Sequence, residues 1–191
     1  MDRANLLSEL ANHRRKAEQM RNFHATLGDE FQEWARRVST FVLVGTALST
    51  LTIFMDWEAV FGPSASKWRL VGGVLAALVF VAESVSRHKR WDDSAVEHHK
   101  AVTAWTQWIR STKDVETHAA SMSDEDLESH SKTQHELYRE TAAATPHVPE
   151  RRFLELKAAW RKKLWVSREL DHDTGETPDQ IAKRFHAQGS P

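Results

Sequence analysis

A run of 18 residues without a formal charge, from Val38 to Met55, restricts the fold of this chain more than any other feature. An α-helix rises about 1.5 Å per residue, so the run covers roughly 27 Å, close to the ~30 Å hydrocarbon core of a bilayer. A second uncharged run of 13 residues, Leu70 to Ala82, follows. It spans only if Trp68 and Arg69 lie at one interface and the segment 83–86 completes the other end. The two runs predict a hairpin of two transmembrane helices.

Tryptophans mark the ends of both runs and are the predicted interface anchors. Trp34 and Trp91 bracket the pair on one side, and Trp57 and Trp68 bracket it on the other. Amphipathic rings at headgroup level form such belts. The alternative is four core tryptophans of a soluble helical domain, which the length of the first run disfavours.

The flanking charges predict the orientation of the hairpin. Within the connection 56–67, Gly62-Pro63 is a turn signal, and so short a loop makes the two helices antiparallel neighbours. Basic residues cluster on the other side of the hairpin, at Arg36, Arg37, Arg87, Lys89 and Arg90. By the positive-inside rule, both termini are cytoplasmic and the loop 56–67 is outside.

Polar flanks surround this apolar middle and make the mean hydropathy of the whole chain negative. The chain therefore divides into an N-terminal cytoplasmic amphipathic helix (1–37), the transmembrane hairpin (38–86, with spans 38–55 and 68–86), a cytoplasmic helical region (87–170) and a polar C-terminal tail (171–191). We expect an all-α membrane protein in which the N-terminal and C-terminal cytoplasmic helices form a helical bundle.

The cytoplasmic region shows clear helix boundaries. An apolar pattern at three- and four-residue spacing predicts a helix that ends near His118. Ser123 and Asp126 form a capping box that opens a helix to about Thr141, and prolines 146 and 149 end it. A third helix is expected from about Glu150 to Leu170. Proline 178 starts a short terminal helix through about residue 185.

The first predicted span is amphipathic within the membrane. One face is apolar, and the opposite arc carries small and hydroxyl residues. One interpretation is packing, because small side chains let helix backbones approach and hydroxyls bond across helices or to their own carbonyls. The other is an aqueous path through an oligomer. The candidate pore-lining residues are Ser39, Gly45, Thr46, Ser49, Thr50, Thr52 and Glu83.

The second span carries small residues in two adjacent registers. Gly72, Gly73, Ala76 and Ala77 form small-xxx-small pairs and are the candidate helix-packing residues. Glu83 lies near the hydrocarbon edge, where an ionisable group indicates a function. It is either a charge at a pore mouth or a carboxylate that reaches the interface near Arg87.

Several function classes are disfavoured. The chain has no cysteine and a formal net charge of −1, so cysteine-ligated metals are excluded and nucleic acid is not an expected partner. Nucleotide-binding and hydrolase motifs are absent, and we expect no enzyme activity, no catalytic residues and no cofactor. The histidines, including His98, His99, His130 and His135, match no metal-ligand spacing and are expected to be solvated surface residues rather than metal ligands.

The layout resembles the SLATT domains, two-transmembrane effector domains found beside SLOG and nucleotidyltransferase sensors in bacterial conflict systems. The similarity covers about residues 5–170. It includes EFQEWARRVSTF before the first span, a long helix continuing from the second span, and HELYRETAAATPHVPERRFLELKAAWRKKL with Tyr138 and the two prolines.

That resemblance implies a multi-pass protein of the bacterial inner membrane. The implied function is an oligomeric pore-forming or membrane-permeabilising effector that kills or arrests the cell when a sensor protein or a signalling nucleotide triggers it. Membrane lipid and further copies of the chain are the other expected partners, because two helices cannot enclose an aqueous path. The alternative is a non-conducting membrane anchor that recruits a cytoplasmic partner.

Overall fold

The computed structural model describes residues 2–172 and 177–187, and this part of the chain is helical without strands, which confirms the predicted all-α class. One-turn 3₁₀ helices lie at Gly62–Ser64 and Ala119–Ser121. The α-helices are α1 (Arg3–Phe54), α2 (Trp57–Phe61), α3 (Ala65–Lys89), α4 (Trp91–His118), α5 (Asp124–Ala144), α6 (Glu150–Asp171) and α7 (Pro178–Ala187).

Helix α1 runs without a break for 52 residues and crosses the boundary that the sequence placed at residue 37. No proline precedes Pro63, and Gly28 is the only glycine before the uncharged run. The chain therefore contains no residue that would end the helix between its polar and apolar parts.

The connection after α1 is more ordered than a loop. The Asp56 carboxylate accepts hydrogen bonds from the backbone N–H groups of Glu58 and Ala59 and so caps α2. Helix α3 then begins at Ala65, three residues before the predicted start of the second span at residue 68.

The expected continuous helix from the second span into the cytoplasmic region is wrong, because α3 ends at Lys89 and α4 begins at Trp91. Arg90 between them is left-handed, with a φ of 49°, and its N–H donates to the Ser86 carbonyl. The charges fit a break here. Three basic residues occupy the last turn of α3 and two acidic residues the first turn of α4, which suits the two helix dipoles.

The chain forms two compact units, and α1 and α4 each contribute residues to both. The first unit comprises residues 1–23 and 101–191, and the second comprises residues 24–100.

The core of the first unit consists of two apolar clusters. Leu6, Leu10, Val115, Ala119 and Leu127 form one of them. The other consists of Ala17, Ala101, Trp105, Trp108 and Ile109, with Met20 and Tyr138 packed against it. Residues of α1, α4 and α5 thus bury apolar side chains against one another within this unit.

Polar contacts within the first unit join distant parts of the sequence. Arg3 binds the carbonyls of Ala119 and Met122 just beyond the C-terminal end of α4, where a cation is favourable. The Gln134 side-chain oxygen accepts hydrogen bonds from the hydroxyls of Ser111 and Thr112, both at 3.1 Å. The Gln134 backbone carbonyl also accepts a hydrogen bond from an indole N–H of α4.

The C-terminal end is not only a polar tail. Helix α7 covers Pro178–Ala187, and Ile181 is fully buried. Arg184 forms an ion pair with Glu169 at 3.3 Å and lies over the Trp165 ring. These contacts place α7 against α6. The remaining parts of the predicted tail, residues 173–176 and 188–191, lie outside the described residues.

In the described part of the chain, one helical stretch within Gly62–Ser121 is long and apolar enough to cross a membrane. Only 11% of its most apolar 18-residue window is buried. The core helix of a soluble protein has similar composition but buries most of such a window. Low burial is therefore what distinguishes this stretch.

Candidate functional site in the apolar helices

Helices α1 and α3 approach each other closely at Gly45. A Cβ atom at this position would stand 2.3 Å from a methyl carbon of Val79, a distance that no side chain tolerates. Gly45 and Val79 are both buried. Glycine fits here because, without a side chain, it lets the Val79 side chain of α3 pack directly against the backbone of α1.

A second contact between α1 and α3 joins Thr52 and Gly72. A Cβ atom on Gly72 would lie 3.1 Å from the Thr52 hydroxyl oxygen. The pairs 45–79 and 52–72 run in opposite directions along the chain, so the two helices meet in antiparallel order. The hydroxyl of Thr52 itself donates to the Ser49 carbonyl at 2.7 Å.

A small cavity of about 230 Å³ lies beside this contact. The Ser49 hydroxyl oxygen is buried, and among the described residues it has no hydrogen-bond partner. The indole N–H of Trp57 donates to the Thr52 carbonyl at 2.8 Å. The residues that line the cavity are Ser49, Thr52, Trp57, Arg69, Gly72, Gly73 and Ala76.

The structure divides the candidate pore-lining residues into two groups. Gly45, Ser49 and Thr52 face α3 and are buried or half-buried, which fits the packing interpretation. Ser39, Thr46 and Thr50 remain exposed. At about 100° per residue, these three lie within roughly 40° of one another around α1, so they form one outward hydroxyl stripe. Leu43, which is 73% exposed, lies on the same face.

Apart from this stripe and the exposed Thr40, the outward surface of residues 38–55 and 70–82 is apolar. Phe54, Leu70 and Phe80 are 83%, 70% and 71% exposed. Contiguous apolar surface of this kind marks a membrane or a protein partner. The other exposed large apolar residues described in the two helices are Trp34, Phe41, Leu43, Val44, Leu48, Leu51, Trp68, Val71, Val74, Leu78, Val81 and Val85.

The candidate packing residues of α3 separate in the same way. Gly72 contacts α1, whereas a Cβ atom on Gly73 would meet nothing within 4 Å. Ala76 and Ala77 are exposed. One of the two small-residue registers is therefore used within the chain, and the other is available on the outside of α3.

Glu83 forms an ion pair with Arg87 one turn further along α3, and its side chain is 43% exposed. A carboxylate that reaches towards a basic residue near the hydrocarbon edge fits the interface interpretation.

The tryptophans take different positions in the second unit. The rings of Trp34 and Trp91 lie together, with centroids 6.2 Å apart, and the Arg37 guanidinium lies over Trp34. Trp68 is 44% exposed and Trp57 is buried. Trp57 therefore packs within its unit, unlike the exposed ring expected of an interface anchor.

The prediction that His98 is a solvated surface residue is wrong. Its Nδ1 atom lies 2.8 Å from Nδ1 of His24, and both residues are buried. The Phe31 ring stacks on His98 with centroids 5.5 Å apart. Burial and the neighbouring His98 lower the pKa of His24 to about 4, and burial also lowers the pKa of His98. Both rings are therefore neutral at pH 7. His99 and His130 are exposed, as predicted.

A second histidine group, in the first unit, was also missed by sequence reasoning. His135 is half-buried and lies near Glu9 and His13, which are one turn apart on α1. The four-residue spacing from Glu9 to His13 was a visible signal, but the partner lies 122 residues beyond His13. Within the described residues, this is the group with the donor atoms to hold a metal ion.

Comparison of the chain with protein-family models, with curated proteins and with solved structures finds no match.

Proposed function

We propose that the chain is a two-span protein of the bacterial inner membrane that assembles into a homo-oligomeric pore or other membrane-permeabilising effector. The observation that carries the proposal is the outward surface of α1 and α3. Over residues 38–55 and 70–82 it is apolar except for Thr40 and a stripe of hydroxyls at Ser39, Thr46 and Thr50.

The apolar part of that surface supports membrane insertion. Side chains such as Phe54 and Phe80 would be costly in water, where each large apolar side chain loses roughly 1.5–3 kcal/mol relative to burial. In a bilayer the same surface meets hydrocarbon, and the backbone polar groups are already satisfied within the helices. The basic flanks at residues 36–37 and 87–90 support cytoplasmic termini.

The hydroxyl stripe supports assembly. Hydroxyls that face outward from a span can bond to a neighbouring copy or line a narrow hydrated path between copies. The free small-residue register of α3, at Gly73 and Ala77, offers a surface for close approach of a second copy. The resemblance to SLATT domains supplies the expected setting, in which a sensor protein or signalling nucleotide opens the assembly.

A non-conducting membrane anchor is the second candidate, and one contact favours it. The Thr50 hydroxyl donates to the Thr46 carbonyl at 2.8 Å, so this residue needs neither water nor a neighbouring copy. The folded first unit would then serve as the surface that recruits a cytoplasmic partner.

Leakage from liposomes separates the two functions. Full-length protein is reconstituted into vesicles loaded with a fluorescent dye of ion size, and release is followed with time. Thr46→Leu together with Thr50→Leu should reduce leakage at least tenfold without reducing insertion. The matched control is Leu48→Val with Leu51→Val, on exposed positions outside the stripe, and it should leave leakage unchanged. A protein that inserts but never releases dye would establish the anchor instead.

Assembly is tested on the neighbouring glycines of α3. Gly73→Leu should lower the crosslinked oligomer fraction in membranes, because it fills the free register while leaving the contact with α1 intact. Only monomer in wild-type membranes under leaking conditions would contradict the pore.

A further inference from the structure

Three side chains from two helices of the first unit converge on one point. Glu9 and His13 lie on the same face of α1, four residues apart, and His135 lies on α5. Nε2 of His135 is 3.2 Å from Nδ1 of His13 and 3.3 Å from Oε1 of Glu9. All three donor atoms lie within 4.8 Å of one another.

These separations match those of ligands around one metal ion. Zinc binds imidazole nitrogen and carboxylate oxygen at about 2.0–2.2 Å in a tetrahedral arrangement, which places neighbouring ligand atoms roughly 3.3 Å apart. Two of the three pairs already have this spacing. A cation can therefore be held with only a small movement of the Glu9 or His13 side chain.

The orientation of His135 is set by its other ring nitrogen. Nδ1 lies 2.9 Å from the Ser131 carbonyl oxygen, which can only accept, so Nδ1–H is the donor. The Nε2 lone pair then points towards Glu9 and His13. A second hydrogen bond from a ligating histidine to a backbone carbonyl is the usual support in metal sites.

Burial, followed by the nearby His135, lowers the pKa of His13 and so favours the neutral ring, which is the form that binds metals. Its Nδ1 atom lies 3.1 Å from the Glu9 carbonyl. Metal binding exchanges this hydrogen bond for a coordinate bond and places the ring proton on Nε2.

We propose that Glu9, His13 and His135 bind a divalent transition-metal ion of the zinc class. Two imidazoles and one carboxylate favour such an ion over Ca²⁺ or Mg²⁺, which prefer oxygen ligands only. Three protein ligands leave a coordination position for water. The Glu9 side chain is 43% exposed, so the ion enters from solvent. Once bound, it joins α1 to α5 and stabilises the first unit by mass action.

The test uses full-length protein without a histidine tag, stripped of metal and held in detergent at pH 7. Zinc chloride is titrated by calorimetry, and the melting temperature is measured with and without zinc. We expect one tight site per chain and a higher melting temperature with zinc. Millimolar Ca²⁺ or Mg²⁺ should not reproduce either result.

Variants locate the site. His13→Ala, His135→Ala and the milder Glu9→Gln should each weaken zinc binding, by about 100-fold for the histidines, and should abolish the rise in melting temperature. The matched control is His130→Ala. His130 lies on α5, as His135 does, but it is exposed, so this variant should bind zinc as tightly as the wild type. Circular dichroism checks that each variant is folded. Absence of a tight site in the wild type, or tight binding that persists in folded His13→Ala and His135→Ala, would overturn the proposal.

Discussion

The first and second units place their apolar side chains in opposite directions. In the first unit, Leu10 and Leu127 are fully buried and Trp105 is nearly so. In the second unit, Leu43 and Phe54 are mostly exposed, and the Val79 side chain of α3 meets α1 at Gly45. The first unit buries its apolar side chains, with the hydrophobic effect as the driving force. The second unit leaves large apolar side chains outside and packs its helices through small residues, a kind of contact that also joins helices in apolar surroundings.

The largest expected effect comes from filling the contact at Gly45. Gly45→Leu should separate α1 from α3 and lower the free energy of unfolding of the second unit by at least about 3 kcal/mol, because the new side chain overlaps Val79. Equilibrium unfolding in a mild detergent measures it.

Gly73→Leu is the matched control, because a side chain there enters open space and should change this stability little. Val79→Ala should partly rescue the Gly45→Leu protein. Equal destabilisation by the two glycine substitutions would mean that close packing at Gly45 does not hold the second unit together.

The buried histidines are an exception to this contrast, because they place two titratable polar side chains inside the second unit. An unfolded histidine titrates near 6.5, whereas burial and the neighbouring His98 lower the pKa of His24 to about 4. At pH values between these two pKa values, the unfolded state therefore binds a proton that the folded state does not bind. Stability should be complete above pH 6.5 and should fall by about 3 kcal/mol as the pH approaches 4.

Unfolding of the second unit at pH 7 and pH 5 measures this slope, and the lowered pKa of His98 acts in the same direction. His24→Phe should flatten the slope. A wild-type stability that does not change between the two pH values would contradict the buried pair.

A third prediction concerns the stability of the first unit and the buried side chain of Gln134. Gln134→Leu removes the acceptor of the Ser111 and Thr112 hydroxyls, and Thr112 is fully buried. The expected loss in unfolding free energy is about 2 kcal/mol, measured by chemical denaturation.

The control is Gln107→Leu. Gln107 is an exposed glutamine on α4, so this change should alter the unfolding free energy by no more than about 0.5 kcal/mol. Adding Ser111→Ala and Thr112→Val to Gln134→Leu should recover part of the loss. If the triple variant is no more stable than Gln134→Leu alone, the loss of stability does not come from leaving the Ser111 and Thr112 hydroxyls without an acceptor.

The smallest expected effect is at the start of α5. The Ser123 hydroxyl accepts the backbone N–H of Asp126 at 3.1 Å, so Ser123→Ala should cost about 1 kcal/mol. Ser129→Ala, at an exposed position inside α5, should be neutral or slightly stabilising. Thermal unfolding compares the two, and equal melting temperatures would show that the cap contributes nothing.

Local features of this fold were predictable from the sequence, whereas contacts between residues far apart in the sequence were not. The capping box at Ser123 and the prolines after α5 act over a few residues, so their positions give helix ends directly. The break at Arg90 was missed because a left-handed arginine has no strong sequence signal.

The candidate sites show the same division. Periodicity placed Gly45, Ser49 and Thr52 on one face of a helix, but it could not say that Val79 and Gly72 of α3 would cover that face. His24 meets His98 across 74 residues, and His13 meets His135 across 122. No local pattern within a single sequence joins positions so far apart.

The contacts of α1 also set an order of events during synthesis. Thr52 meets Gly72 after only 20 further residues, which a ribosome adds in roughly 1–4 s. Arg14 can pair with Glu116 only after 102 further residues have been added, which takes roughly 5–20 s. The apolar half of the helix thus finds its partner while the amphipathic half is still alone, with Leu6 and Leu10 uncovered. Arrested nascent chains of about 100 and 150 residues should differ in protease sensitivity at this N-terminal stretch. The beginning of the chain is therefore among the last parts to be protected, and a chaperone that shields newly made chains has its longest opportunity there.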